Sequence, residues 1–432
     1  MHDQPGSTVS VAERPAAQRW FVIGACLLLA AIVIALFPYK FHAPTWEDND
    51  YVNLASGNTQ QVRFFYLARI VHPLVVRAVS HVTGTDIPKA FWLVSCACLL
   101  GFVTLLGVEL QQQRVRLLLL FAILVNPLTL EAYRNYYSHD LFHCLLLMIF
   151  FLVFRKSPWL SLPLIYLLYL TRESTALLVV VVAVLAWLAG RHWLCAATFL
   201  TGFAAWFTAA RLIGRHAGNI HHLPMPVLYV LKVVYAVIYN IFGVLLWTNT
   251  TELTETPRWT YTFPGHFHLG AITAVGYCDF SLLRPVNTFV VLFASFGLLP
   301  IFGWIFRKHL FRHRNDLWIK VVLFYGLANF AVAPLLGTVI YRYILYAWPA
   351  FFLAIPIMCS SLPLSARRWT ELAVLVLVAS WTPVALQGWF GDVAGLIATA
   401  GVEVLLICVL LRYFRGAALE AVPAIRDDAP QA

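Results

Sequence analysis

The sequence predicts an all-α protein, a polytopic transmembrane helical bundle of about 12–13 spans with short interfacial helices in its first outer loop. Three observations carry this. Of the 432 residues, 61% are hydrophobic and only 12% charged, which is more apolar surface than a water-soluble chain of this size can bury. The apolar residues come in runs close to the roughly 20 residues that cross a bilayer. The charged residues are gathered between those runs.

A polar tail, residues 1–19, precedes the first apolar run, 20–37. That run is long for a signal-peptide core and has no small-residue cleavage site, so it is expected to stay as a span with the N-terminus in the cytoplasm. Residues 38–88 then form a first outer loop. Further apolar runs lie at 91–109, 117–130, 141–154, 159–170, 175–188, 193–210 and 227–247. A second long outer loop covers 248–284. The last runs are 285–306, 317–336, 343–358, 372–386 and 393–411, and residues 415–432 form a cytoplasmic tail.

Basic residues orient the spans. Arg114 and Arg116, Arg155 and Lys156, Arg191, the run 307–314, Arg367 and Arg368, and Arg412 and Arg415 mark the cytoplasmic side. The turns at 131–138, 171–174 and 337–343 then fall outside with the two long loops. Two cytoplasmic termini need an even number of spans. Residues 227–247, which carry Lys232, Tyr235, Tyr239 and Asn240, are the run expected not to cross simply. With no repeat or soluble region in view, the whole of 1–432 reads as a single integral membrane domain.

The net charge of +10 is spread over short clusters between spans, which suits a bacterial-type inner membrane protein and does not point to nucleic acid. Seven of the eight cysteines, all but Cys278, lie in apolar runs, and no CxxC occurs, so neither a disulfide framework nor a zinc site is expected.

Ionisable residues are few, and they gather on the outer side. The first loop holds Glu47, Asp48, Asp50, Arg63, Arg69, His72 and Arg77; the next turn Glu131, Arg134, His139, Asp140 and His143; the third Arg172 and Glu173; a later one Tyr341, Arg342 and Tyr343. Carboxylates beside arginines at the water–lipid boundary can bind a lipid phosphate through forked guanidinium donors and take a proton from a hydroxyl. The plainer alternatives are solvated acids, helix caps over 48–50 and snorkelling arginines. Short helices are expected to start near 48–50 and to run through 65–79. His139 and His143 share a helix face and offer at most an incomplete metal set.

These residues carry a resemblance. The stretch Trp46-Glu47-Asp48-Asn49-Asp50-Tyr51 after the first span, the aromatic–basic stretch from Arg63 to Pro73, Arg134 and Asp140 before the fourth span, Leu170-Thr171-Arg172-Glu173, and Tyr341-Arg342-Tyr343 with Pro349 resemble the type-C glycosyltransferase superfamily. Its members are polytopic enzymes that take sugars from polyprenyl-phosphate carriers. The resemblance implies an inverting transferase at the outer face of the plasma membrane, passing a sugar to a glycan, lipid or protein acceptor. It implies a general base among Asp48, Asp50 and Glu47, taken in that order, although relatives usually show one clear acid. Arg63, Arg69, His72, Arg134, Asp140, Arg172, Glu173, Tyr341 and Arg342 are then the candidates for substrate and phosphate binding. No cofactor is required; a divalent metal is compatible with such chemistry. The competing classes are a polysaccharide polymerase or ligase, which would be expected to carry its large loop late in the chain, and a lipid-linked sugar transporter or flippase, which would be expected to carry mid-membrane charge in paired halves.

Overall fold

The computed structural model describes residues 16–63, 66–214, 225–246, 261–269, 272–280, 283–310, 316–336 and 340–420. Expectations for Phe64 and Phe65, for 248–260 and 311–314, and for both terminal tails beyond these limits lie outside the described residues.

The first span, α1 (Ala16–Leu36), turns Val22, Cys26 and Ala30 inward at intervals of four and leaves Trp20, Phe21 and Leu28 exposed as a lipid face. Its inward stripe packs on α4 (Ile87–Gln112), where a Cβ added at Gly107 would stand 2.5 Å from the Cys26 sulfur, so the two helices approach closely. Between them lie α2 (Trp46–Ser56) and α3 (Val71–Thr83), of 11 and 13 residues, too short to span. Two helices are expected in this loop; α2 starts two residues before the expected 48–50, and α3 covers 71–83 in place of the expected 65–79.

The next apolar run is a broken span. Pro127 denies the ladder an N–H, and the run divides into α5 (Leu117–Leu124) and α6 (Pro127–Arg134). Asn126 caps α6 by accepting from Leu128 N at 2.9 Å and donates its Nδ2 to Ser295 O at 3.0 Å. Trp381 Nε1 donates to Val125 O at 2.8 Å. The backbone groups opened by the break therefore find partners within the bundle, as hydrocarbon requires.

There follow α7 (Asp140–Lys156), α8 (Leu162–Tyr169), α9 (Ala176–Leu188), α10 (His192–Gly214) and α11 (Met225–Phe242). An antiparallel sheet follows: β1 (Val244–Leu246), at the end of the run 227–247, with β2 (Tyr261–Leu269) and β3 (Ile272–Phe280) of the second outer loop, in the order β1-β3-β2. Aromatic and β-branched residues suit these strands, and Pro264 is tolerated because β2 lies at the edge.

A second broken span comes next. α12 (Leu283–Ala294) and α13 (Leu299–Ile305) meet at 68°. The bend passes through Gly297 and Leu298 at φ 53° and 63°, and Leu298 is uncommon in that region. After the short α14 (Arg307–Leu310) come α15 (Leu317–Leu336), α16 (Ile340–Cys359), α17 (Ala366–Phe390) and α18 (Asp392–Glu420). Of these α16 is the central strut: 94% of its apolar window is buried, against 28% for α18, which faces lipid. It packs on α4, α7 and α15, with Trp348 stacked on Phe102 at 4.8 Å.

Among the described residues eight helices are long and apolar enough to cross a membrane, nine if the bent pair is one span. Several of the other expected runs are shorter helices among the described residues. At 1.5 Å per residue, α8 and α9 reach roughly 12 and 20 Å of a core about 30 Å thick. At one end of the bundle Arg155, at the foot of α7, pairs with Glu109 of α4 and lies 5.0 Å over the ring of Trp318. The first turns of α7 and α16 therefore lie at the other end.

Candidate functional site

At that other end the segment between α1 and α2 is pinned in place. Tyr133, Tyr136 and Tyr137 donate their hydroxyls to the carbonyls of Phe37, Lys40 and His42 at 3.0, 3.2 and 3.1 Å. Thr45 then opens α2 with a capping box. Its hydroxyl and its N–H both donate to Asp48 Oδ2, at 2.7 and 3.0 Å, and its Oγ accepts from Asp48 N. The acids of the first turn also suit the positive end of the helix.

One residue before Asp48, Glu47 points across to α16 and accepts from Arg342 Nη1 at 2.6 Å. Arg342 is a hub. Its Nε donates to Asp140 Oδ2 at 2.9 Å and its Nη2 to Ser138 Oγ at 3.2 Å. Asp140, at the first position of α7, also accepts from Ser138 Oγ at 2.7 Å and from Tyr346 OH at 2.5 Å. Tyr346 reaches it because it stands four residues after Arg342 on the same helix face.

The turn between α8 and α9 brings Arg172 and Glu173 to the same place. Arg69 grips Glu173 with Nε at 2.9 Å and with Nη2, while its Nη1 donates to the buried Tyr51 hydroxyl at 3.0 Å. Arg172 donates Nη1 to His139 Nε2 at 3.0 Å and lies 5.2 and 5.5 Å over the rings of Tyr343 and Tyr346. It is 4% exposed, its Nε has no partner, and among the described residues no carboxylate pairs with it.

The electrostatics follow from this packing. Burial pushes the Asp140 carboxyl up, but Arg342 and Arg172 outweigh it and hold the group at about 2. Burial likewise raises Glu47 and Glu173; Arg342 outweighs it at the first, and Arg69 and Arg172 at the second, so both are held low. Burial and then the neighbouring Arg172 push His139 well below the usual histidine range. It is therefore neutral, and its Nε2 accepts from Arg172.

Of the sequence candidates, Glu47, Arg69, Asp140, Arg172, Glu173 and Arg342 converge. Tyr341 lies on α16, and its side chain is outside the described residues. Others go elsewhere. Asp48, the favoured base, has one oxygen committed to the cap. Asp50 is held through both oxygens by Arg63, from its backbone N at 2.8 Å and its Nε at 2.7 Å, so this pair clasps the loop behind α2. His72 is 1% exposed between Phe91 and Phe142, at 5.3 and 5.2 Å, which makes it an aromatic core residue rather than a phosphate ligand. Arg134 lies 5.6 Å over Phe37 and lines a separate open cavity of about 630 Å³ with Lys40, His42, Trp92 and Tyr136. His139 accepts from Arg172 through Nε2 and the ring of His143 lies against Tyr346 at 4.8 Å; among the described residues no three His, Cys, Asp or Glu side chains are grouped as a metal set. Sequence reasoning did not single out Ser138, Tyr51 or Tyr346 as site residues; for Tyr346 the available signal was its spacing of four from Arg342.

Fold and centre together define a polytopic helical membrane protein with a buried arginine–carboxylate centre at one end of its bundle. Comparison with protein-family models, with curated proteins and with solved structures finds no match in any of the three.

Proposed function

We propose that the chain is an inverting, membrane-embedded glycosyltransferase that moves a sugar from a polyprenyl-phosphate carrier to a hydroxyl acceptor at the outer face of a plasma membrane. The observation that carries this is Arg172, a buried guanidinium without a carboxylate beside two others, Arg69 and Arg342, that have them. An unpaired buried cation is costly, and an anionic ligand would relieve it. Phosphate suits the forked donors of arginine.

In the proposed reaction the acceptor oxygen attacks the anomeric carbon, and the bond from that carbon to the phosphate oxygen breaks. The carrier phosphate leaves with the electron pair, and Arg172, Arg342 and Arg69 stabilise the growing charge. Glu47 takes the acceptor proton. It is the first-turn acid that faces the arginines, it is held ionised by Arg342, and its side chain is 31% exposed where Asp140 is 3%. Asp48, with one oxygen outside the cap, is the second candidate. A metal step is not invoked.

The test is product mass. Membranes containing the protein, incubated with polyprenyl-phosphate sugars and cell-envelope acceptors, should yield an acceptor heavier by one sugar, and Glu47→Gln should slow transfer by roughly 10²–10⁴-fold. Wild-type membranes that yield no product with any carrier sugar, or transfer undiminished in Glu47→Gln and Asp48→Asn, would refute the proposal.

A further inference from the structure

Resting on the proposed carrier chemistry, we infer that the carrier phosphate is seated on the turn Arg172-Glu173-Ser174-Thr175, with the hydroxyls of Ser174 and Thr175 as ligands beside Arg172. A single 3-10 turn, Glu173–Thr175, feeds into α9, with Thr175 as its N-cap. Three polar atoms of this turn are buried without a hydrogen-bond partner: Arg172 Nε, Ser174 Oγ and Thr175 Oγ1. Thr175 is fully buried, and its hydroxyl makes no cap bond to its own helix. Native proteins leave few such groups unpaired, because each gives up its hydrogen bonds to water and gains none in return.

Three unmatched donors therefore lie within four residues, one of them on a buried cation without an ion pair. A phosphate group answers all three. Its oxygens accept from the two hydroxyls and from the Nε–H, and its charge compensates Arg172. The start of the 13-residue α9 adds its positive end. The only acid in the turn, Glu173, is turned to Arg69 and neutralised there. The rings of Tyr343 and Tyr346, 5.2 and 5.5 Å from the Arg172 guanidinium, and its bond to His139 help to hold that side chain in place.

The hydroxyls offer a clean test because the ligand-free fold does not use them. Thr175→Val keeps the shape and removes an unsatisfied group, so thermal stability without ligand should stay level or rise. Binding of farnesyl phosphate to the purified full-length protein in nanodiscs should weaken about tenfold or more in Thr175→Val and in Ser174→Ala, as expected for a lost hydrogen bond to a charged group. Farnesol, which lacks the phosphate, and inorganic phosphate, which lacks the chain, separate the two halves of the ligand. Phosphatidylglycerol in the nanodisc tests the headgroup alternative.

Tight binding of farnesyl phosphate by wild type, with both variants weakened and farnesol binding unmoved, supports the seat. Equal binding by wild type and both variants overturns it and leaves the glycosyltransferase proposal standing. No binding of farnesyl phosphate by wild type overturns both. Equal competition by phosphatidylglycerol, lost in the same variants, keeps a phosphate seat but overturns the carrier as its occupant.

Discussion

Arg342 and Glu47 are separated by 295 residues and meet at 2.6 Å. The same guanidinium holds Asp140 and Ser138, so one side chain joins α16, the start of α7 and the first turn of α2. Arg342→Lys keeps the charge but cannot reach all three sites. It is expected to fold and to lose most of the proposed transfer activity. Arg342→Ala takes from Asp140 its one ion-pair partner, leaving Arg172, Ser138 and Tyr346 to hold the buried charge, and should cost about 3 kcal/mol. Thermal denaturation in detergent beside an activity assay separates the two variants.

The three acids of the first loop should behave as three different devices. Glu47→Gln is expected to lose transfer activity with normal insertion. Asp48→Asn retains an oxygen for the cap and should cost under about 1–2 kcal/mol. Asp50→Asn weakens the clasp on Arg63 and should lower stability without touching the arginine centre. Expression, melting temperature and turnover of the three variants, measured together, would distinguish them; a large activity loss confined to Asp50→Asn would contradict the geometry.

Acid should destabilise the protein in two windows. The His139 and His72 rings are held below the usual histidine range, His72 at about 3 by burial, so the unfolded chain binds protons first and stability declines as pH falls below about 6.5. The Asp140 carboxyl, held at about 2, contributes stability fully present above the unfolded value near 3.9 and lost as pH falls toward 2, on the order of 2 kcal/mol. His72→Phe should shrink the first window to the share of His139 and leave the second, and the fold should accept it because the ring already packs between two phenylalanines. A melting curve in His72→Phe with wild-type acid sensitivity between pH 6.5 and 4 would count against this assignment.

The bend between α12 and α13 should not tolerate a side chain at its pivot. A Cβ at Gly297 would lie 2.5 Å from Val376 O, and φ there is +53°. Gly297→Ala therefore faces both a backbone clash and a strained conformation, at a cost of about 1–3 kcal/mol or more. Reduced melting temperature and yield are the expected readouts, with Gly24→Ala, which meets nothing within 4 Å, as the matched control.

The membrane class was legible because composition and run length respond to one variable, the solvent. The meeting of Glu47, Asp140, Arg172 and Arg342 was legible for a related reason: ionisable groups in such a chain sit at span ends, and alternating topology brings distant span ends to one surface. What sequence could not rank was which charge faces which partner. Asp48 and Glu47 are adjacent, yet the helical step turns one to its own cap and the other to α16. Arg134 and Arg172 look alike as span-end arginines, but Arg134 lies against Phe37 and Arg172 is buried. Helix length was less legible than span position, because an apolar run does not reveal whether a turn at its end will shorten the helix, as at α8 and α9.

The two broken spans hold each other's loose ends, and this bears on how the chain is made. Asn126 at the first break waits for Ser295 at the second, and Val125 O waits for Trp381. Ribosomes deliver residues in order, so the α5–α6 break enters the bilayer long before either partner has been synthesised. Until then its backbone must borrow hydrogen bonds from water, lipid headgroups or the insertion machinery. The early half of the protein is therefore a provisional structure, completed only when the late half arrives, and truncations ending before residue 295 should be retained by quality control rather than accumulate as stable fragments.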